Sequence, residues 1–446
     1  MKNFIQTLKN IFSIEDLRIR ILNTLGFLLI YRLGSFVTLP GVDSVALEQL
    51  KGDPEGLAGL INIFAGGAFS RASIFALGIM PYISASIVMQ LLGMAVPHFQ
   101  RLQREGDSGR KKINQYTRML TVVVTLLQAP GYIASQIPKE AINENISMFW
   151  LSSMIILTAG TMFIMWLGEK ITDRGIGNGI SLIIMIGIIA NLPVAFIQEF
   201  VARLENQGGG LVILLIELVV LFLIIVVSIL LVQGTRKIPV QFAKKIVGNK
   251  QYGGVRQYIP LKVNAAGVMP IIFAQAIMFI PLTIAGFAQS ESMSGFVATF
   301  SDYTGFWHNF TFALLIIVFT YFYTAITINP NQMADDMKRN GGFIPGVKPG
   351  KKTAEFIDSV MSKITLPGSI FLAFVAILPA FATKAGINAQ FAHFYGGTSL
   401  LILVGVVLDT LQQIESHLLM RHYDGLMKTG RIKGRNVTNS AVSYAG

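Results

Sequence analysis

The sequence contains no cysteine. A chain without cysteine forms no disulfide bond and offers neither a thiolate metal ligand nor a cysteine nucleophile. Charge is also scarce, since Asp, Glu, Lys and Arg make up 13% of the 446 residues while 52% are hydrophobic. Soluble globular chains rarely combine these two values. The composition therefore predicts a polytopic membrane protein.

One long apolar stretch lacks the continuity of an ordinary membrane helix. Residues 61–92 read INIFAGGAFSRASIFALGIMPYISASIVMQLL, and Gly66, Gly67 and Pro81 interrupt them. Lipid cannot hydrogen-bond the backbone groups that such interruptions free. Broken chain therefore occurs at membrane depth only where protein buries it or water reaches it. This segment predicts a pathway through the membrane.

Apolar runs of membrane length predict ten spans. The spans cover residues 21–39, 74–93, 119–134, 149–167, 180–196, 211–232, 265–284, 310–328, 366–381 and 400–419. Basic residues concentrate in alternate connections, around 101–112, 170–174, 236–262 and 338–363, and in both tails. The positive-inside rule then places these connections and both termini in the cytoplasm.

The spans divide the chain into segments. We expect a cytoplasmic amphipathic segment over 1–20, a first half over 21–200, a second half over 201–419 and a cytoplasmic tail over 420–446. Two cytoplasmic loops, about 233–263 and 329–365, are longer than usual connections. The first carries seven basic residues and no acidic one. Orientation alone also requires basic loops, but it does not explain the length, so a docking role is favoured.

Six sequence blocks resemble the signature stretches of the SecY family of bacterial protein-conducting channels. They read GGAFSRASIFALGIMPYISASIVMQLL, REGDSGRKKINQYTR, GTMFIMWLGEKITDRGIGNGIS, PLKVNAAGVMPIIFA, TINPNQMADDMKRNGGFIPGVKPGKKTAEFID and FYGGTSLLILVGVVLDT. The resemblance implies an all-α fold with ten transmembrane helices in two inverted five-helix halves around a central pore. The pore would open sideways between spans two and three on one side and seven and eight on the other.

The resemblance also implies three sets of site residues. A ring of aliphatic side chains, which blocks ions by dewetting, falls on Ile79, Ile83, Ile180, Ile184, Ile272 and Ile402. A re-entrant plug half-helix over about 57–71 includes Ile61, Asn62, Phe64, Gly66, Gly67, Phe69 and Arg71. A polar cluster at the lateral gate comprises Gln90, Thr117 and Asn264, which we expect to hydrogen-bond one another. A re-entrant loop with purely structural packing is the alternative for the plug.

Docking of a motor or a ribosome is expected at the tips of the long loops. The residues are Arg236, Lys237, Lys244, Lys245, Lys250, Arg256 and Lys348. The family usually carries arginine at position 348 and paired arginines where Asn249 and Lys250 stand, and lysine lacks the planar donor fork of arginine.

The resemblance implies a set of partners and a location. The partners are SecE-like and SecG-like small membrane subunits, the SecA motor ATPase, the ribosome with its RNA, unfolded secretory and membrane-protein chains, and the lipid bilayer. The implied location is the bacterial inner membrane, and no cofactor, metal or catalytic residue is implied.

Other functional classes have weaker support. Gly106, Asp107, Ser108 and Gly109 match a serine protease pattern, but they lie in a basic cytoplasmic loop, and a turn is favoured. The stretch 346–353 lacks the glycine spacing of a phosphate-binding loop. A secondary transporter is the main rival, because broken helices serve that class too.

Ion coupling in a transporter needs ionisable residues deep in the membrane. Arg32 and Asp409 both fall near the middle of predicted spans, and we expect them to form a structural pair. The sequence gives no role for Glu217, in the sixth predicted span.

Overall fold

The computed structural model describes residues 14–50, 62–142, 145–205, 210–242, 245–247, 250–252, 256–275, 277–278, 302 and 304–428. Helices dominate these residues. They are α1 (Glu15–Gly34), α2 (Ser44–Leu50), α3 (Met80–Ala95), α4 (Pro97–Arg104), α5 (Asp107–Gln136), α6 (Ile146–Arg174), α7 (Gly179–Glu205), α8 (Gly210–Gln233), α9 (Phe306–Thr327), α10 (Pro330–Arg339), α11 (Lys351–Lys384), α12 (Ala389–Ala392) and α13 (Gly397–Lys428). Residues 269–275 are also helical.

The helices agree with most of the predicted spans. Among the described residues, six stretches are long and apolar enough to cross a membrane, namely Ile146–Arg174, Gly179–Glu205, Gly210–Gln233, Phe306–Arg339, Lys351–Lys384 and Gly397–Leu418. Helices α1, α3 and α5 occupy the first three predicted spans, and α3 and α4 form one segment bent by 102°. The seventh predicted span is described only through residue 278. The protein is a multi-pass membrane protein.

The lipid-facing character of these helices shows most clearly on α8. Leu211, Val212 and Phe222 are 56%, 69% and 68% exposed. Side chains of this kind are costly in water and favourable in hydrocarbon. The surface of α8 therefore suits contact with acyl chains or with other membrane helices.

The second predicted span begins later than expected. Residues 74–79 form turns, and helix α3 begins at Met80. Gly78 has a φ of +54°, a left-handed conformation that ends helical geometry, and Pro81 lies in the first turn of α3. Proline is tolerated there because the first amides of a helix need no intrahelical partner.

The helix of the ninth predicted span begins earlier than expected. Residues 351–365, the second part of the predicted loop over 329–365, are therefore helical. Helix α11 starts at Lys351 and buries Ile357 and Met361. These two side chains belong to a hydrophobic cluster with Ile238, Val240 and Leu261. Packing on this cluster explains why a charged stretch continues a membrane helix into the region predicted to be cytoplasmic.

The long loop between α8 and the seventh predicted span is built from β-strands. The strands are β1 (Thr235–Phe242), β2 (Lys245–Val247), β3 (Lys250–Tyr252), β4 (Arg256–Lys262) and, after α10, β5 (Gly342–Phe343). Strand β1 lies between β4 and β5, antiparallel to both, and β2 pairs with β3. The two predicted cytoplasmic loops thus form one platform against the start of α11.

Candidate functional site

The six isoleucines predicted for the constriction lie in one hydrophobic cluster. Three are buried and three are partly buried against the same cluster: Ile79, Ile184 and Ile402 in the first group, and Ile83, Ile180 and Ile272 in the second. They come from the start of α3, from α7, from residues 269–275 and from α13. Four separated stretches therefore contribute to one hydrophobic cluster. We call the six isoleucines the aliphatic centre, and their side chains offer water and ions no hydrogen-bonding group.

The predicted plug lies against this centre. Ile63 and Phe64 belong to the same cluster as the six isoleucines. Ala65 and Phe69 belong to a neighbouring cluster with residues of α5 and α6. Within residues 62–71 only 62–64 are helical and the rest form turns, so this part is not the half-helix that was predicted. Ile61 lies outside the described residues.

Tyrosine and asparagine side chains from three helices hold the backbone of this segment. Tyr132 on α5 donates its hydroxyl to the carbonyl of Phe69 at 2.7 Å. Tyr31 on α1 donates to the carbonyl of Ala65 at 3.4 Å, and Asn191 on α7 donates to that of Ile63, also at 3.4 Å. Because each of these bonds ends on a main-chain oxygen, they hold the backbone of the segment in addition to the packing of its side chains.

Two arginines meet at a single carbonyl of the same segment. Arg32 and Arg71 each donate to the carbonyl oxygen of Gly66 at 2.9 Å. Both guanidinium groups lie over the ring of Phe36, at 5.2 and 4.4 Å from its centroid. Gly66 has a φ of +63°, and a Cβ there would meet Arg32 at 2.5 Å, so the position requires glycine.

This geometry corrects the predicted pair of Arg32 and Asp409. Arg32 binds the carbonyl of Gly66, and Asp409 is exposed on α13. No ion pair joins the two among the described residues. The carbonyl of Gly66 is within reach of Arg32 where the chain turns at Gly66 and Gly67, which have φ values of +63° and +84°.

Helix α7 lies close to the backbone of the segment at Gly187. A Cβ at this position would lie 2.4 Å from the carbonyl oxygen of Phe64 and 3.2 Å from the amide nitrogen of Gly66. Sequence reasoning missed Gly187, Tyr31 and Tyr132. The tyrosines carried a usable signal, because a hydroxyl in an apolar span needs a hydrogen-bond partner.

The predicted polar cluster at the lateral gate is not joined by hydrogen bonds. Gln90 donates to Ser86 on its own helix at 3.4 Å, and Thr117 donates to the carbonyl of Ile113 at 2.9 Å. The Oδ1 atom of Asn264 is buried without a hydrogen-bond partner in the described structure. Helices α3 and α5 pack together, but the expected bonds among Gln90, Thr117 and Asn264 were wrong for this conformation.

The predicted docking residues, as far as they are described, lie on the platform that the two predicted cytoplasmic loops form. Arg236 and Lys237 are exposed on β1, and Lys348 is exposed between β5 and α11. Lys245, Lys250 and Arg256 lie on β2, β3 and β4. Lys244 and Asn249 fall outside the described residues.

A small polar cavity lies apart from the aliphatic centre. Its volume is about 50 Å³, and its lining includes Gln275, His308, His393 and Thr398. This volume suits a few water molecules rather than an organic ligand. Burial lowers the pKa of His393 to about 4, so its imidazole is neutral at physiological pH. None of the six isoleucines lines the cavity, which therefore belongs to the packing of the second half.

Comparison with known proteins agrees with this geometry. Residues 73–411 match the SecY family. The protein translocase subunit SecY of Halalkalibacterium halodurans is 45% identical over 432 residues, which cover 95% of this chain and all of the relative. The SecY subunit of Streptomyces scabiei is 43% identical over 94% of this chain and 98% of the relative.

Solved channel structures share the fold. A structure of a protein-conducting channel superposes with a TM-score of 0.65 at 17% identity, over 94% of this chain and 95% of that one. A SecY structure concerned with its plug domain superposes with a TM-score of 0.63 at 17% identity. Sec61 in a canine ribosome-channel complex superposes with a TM-score of 0.61 at 16% identity. Both cover 94% of this chain and 95% of the other chain. These likenesses confirm the predicted fold class, and the sequence relatives settle the family. The chain belongs to the SecY family.

Proposed function

We propose that this chain is the protein-conducting channel of the general secretory pathway. It passes unfolded polypeptides across the bacterial inner membrane and releases membrane segments sideways into lipid. The observation that carries the proposal is the aliphatic centre formed by six isoleucines from four stretches, with residues 62–69 packed against it. A transported chain needs a deformable, non-bonding constriction rather than a binding site.

The aliphatic centre explains how such a channel stays closed to ions. Ile79, Ile184 and Ile402 are 4%, 6% and 5% exposed, so little room is left for water between them. A constriction without hydrogen-bonding groups expels water and thereby blocks ions. Aliphatic side chains change rotamer at low cost, which lets the ring widen around a peptide of any sequence.

Residues 62–69 act as the plug in this proposal. They contact the centre through Ile63 and Phe64 and are held by hydrogen bonds to Ala65, Gly66 and Phe69. These bonds are few and reversible, as a movable seal requires. Deleting residues 62–68 should leave a channel that assembles but conducts ions at rest. An unchanged resting conductance would contradict the plug assignment.

The exposed cytoplasmic platform is the docking surface for the partners that supply energy. Arg236, Lys237 and Lys348 are positive, and a ribosome or an acidic protein surface is negative. A related channel, Sec61, has been solved with a ribosome. We propose the ribosome and a SecA-type motor ATPase as partners here, with SecE-like and SecG-like subunits in the membrane and both termini in the cytoplasm.

A solute transporter is the alternative, and the described residues favour it less. Coupling to an ion would need paired ionisable groups on the pathway. Arg32 instead binds a carbonyl of the plug, and Asp409 is exposed.

The direct test is transport by purified protein in vesicles. The chain is reconstituted with the small membrane subunits, a motor ATPase, ATP and a secretory precursor, and the precursor is then challenged with protease. We expect ATP-dependent protection of the precursor. Vesicles lacking the chain are the control, and failure of the complete vesicles to protect any precursor would refute the proposal.

A further inference from the structure

A buried ion network joins two neighbouring helices far from the plug in sequence. Arg203 on α7 donates its Nε to Oε1 of Glu199 at 2.8 Å, and its Nη2 to Oε1 of Glu217 on α8. Glu199 is 1% exposed and Glu217 is 6% exposed. Charges buried to this degree are retained only when they are paired and hydrogen-bonded.

The same network reaches a third element. The backbone amide of Asn388 donates to Oε2 of Glu199 at 2.8 Å, and Arg203 donates to the carbonyl of Gly386 at 2.9 Å. Both partners are main-chain groups in the turn that follows α11. The network therefore ties the last helix of the predicted first half to two elements of the predicted second half.

Arg203 is the residue of the network that compensates the charges of both Glu199 and Glu217. Without its guanidinium, the carboxylates of Glu199 and Glu217 would remain buried beside each other. Removing one partner of a buried pair costs more than the pair itself contributes, because an uncompensated charge remains.

The junction at Arg203 contrasts with the predicted lateral gate. At the gate, Gln90 and Thr117 bond within their own helices, and Asn264 has no partner among the described residues. Separating the halves at the gate breaks no hydrogen bond among these three residues. Separating them at Arg203 would expose two carboxylates and break the three bonds that leave α7, to Glu217, Gly386 and Asn388.

We propose that Arg203 is a positioning residue that keeps α7, α8 and the turn 385–388 together while the channel opens, so that separation takes place at the gate. This inference rests on the proposed function, because it concerns how a polypeptide channel opens. It assigns Arg203, Glu199 and Glu217 to a fixed joint and not to the moving seam.

The absence of native cysteine allows a direct test. Glu199→Cys and Asn388→Cys are combined, and the two thiols are joined by a short bis-maleimide in the reconstituted complex. We expect precursor translocation no lower than that of the same variant before crosslinking, since a fixed joint does not move and the crosslink replaces the contact that Glu199→Cys removes. Each single variant treated with the reagent is the control. Loss of translocation only in the crosslinked double variant would overturn the proposal.

A second comparison asks whether the guanidinium itself matters. Arg203→Met should slow translocation about tenfold, and Arg203→Lys, which keeps the charge but not the fork, should recover part of that loss. Unchanged translocation by Arg203→Met would overturn the positioning role. If Arg203→Met does not assemble, the crosslinking result decides. If the wild-type complex translocates nothing, the proposed function fails, and that outcome is separate from either variant result.

Discussion

The contact between α7 and the plug gives the sharpest prediction from the structure. Gly187→Ala places a methyl group 2.4 Å from the carbonyl oxygen of Phe64. An ordinary contact between carbon and a carbonyl oxygen is about 3.3 Å. The methyl group would clash with a backbone atom, the carbonyl oxygen of Phe64, so no change of side-chain rotamer relieves the clash. Either α7 or residues 62–69 must move by roughly 1 Å, which follows from the difference between these distances.

The size of the effect follows from the cost of overpacking. Inserting a methyl group into a packed site costs about 1–3 kcal/mol. Since about 1.4 kcal/mol corresponds to a tenfold change in an equilibrium, the ratio of seated to displaced plug should fall by about 5-fold to 140-fold. The gain in helix propensity from glycine to alanine, about 1 kcal/mol, acts on α7 but does not relieve the contact.

Ion conductance of the resting channel in a planar bilayer measures this shift. Gly26→Ala is the matched control, because Gly26 lies within α1 and a Cβ there meets nothing within 4 Å. We expect Gly187→Ala to conduct at rest and Gly26→Ala to stay closed. Equal, low conductance from both variants would refute the argument that Gly187 seats the plug.

Three further predictions use other contacts. Tyr132→Phe leaves the carbonyl of Phe69 unsatisfied at a cost of about 1–3 kcal/mol, so resting conductance should rise; an unchanged value would show that this bond does not hold the plug. His393 has a pKa of about 4 in the fold and about 6.5 when unfolded. Stability should therefore fall as the pH drops from 6.5 towards 4, by up to about 3 kcal/mol, and the melting temperature of His393→Gln should depend less on pH. Arg118→Lys removes the forked contact with Glu169, at 3.0 and 2.6 Å. Because this pair is partly exposed, a double-mutant cycle should give less than about 1 kcal/mol.

The membrane character and most helix positions were predictable because they depend on hydropathy. The run that became α8 is apolar except for Glu217, Ser228 and the terminal Gln233, and recognising it needs no tertiary information. The start of α11 was not predictable in this way, since its first turns are charged and are held by Ile357 and Met361 packing on the β-strands. Strand β1 carries a short alternating pattern, with Ile238, Val240 and Phe242 at every second position, but Pro239 interrupts it and the stretch around it is basic.

The candidate site was predictable only through the family resemblance. Isoleucine at a spacing of four residues, as in Ile79 and Ile83, is common on any membrane helix. Their convergence with Ile402 depends on packing across more than one helix. The partners of Arg32 and Glu217 were not predictable, because a carbonyl acceptor and a three-element ion network leave no pattern in the sequence.

The central claim is that a polypeptide passes through the aliphatic centre, and a thiol crosslink tests it most directly. Ile180→Cys gives the chain a single cysteine, and a secretory precursor with one cysteine of its own is stalled during translocation. We predict a disulfide between them whose yield depends on the length of the stalled precursor. No crosslink from Ile180→Cys, Ile83→Cys or Ile402→Cys, with folded protein and intact partners, would contradict the account.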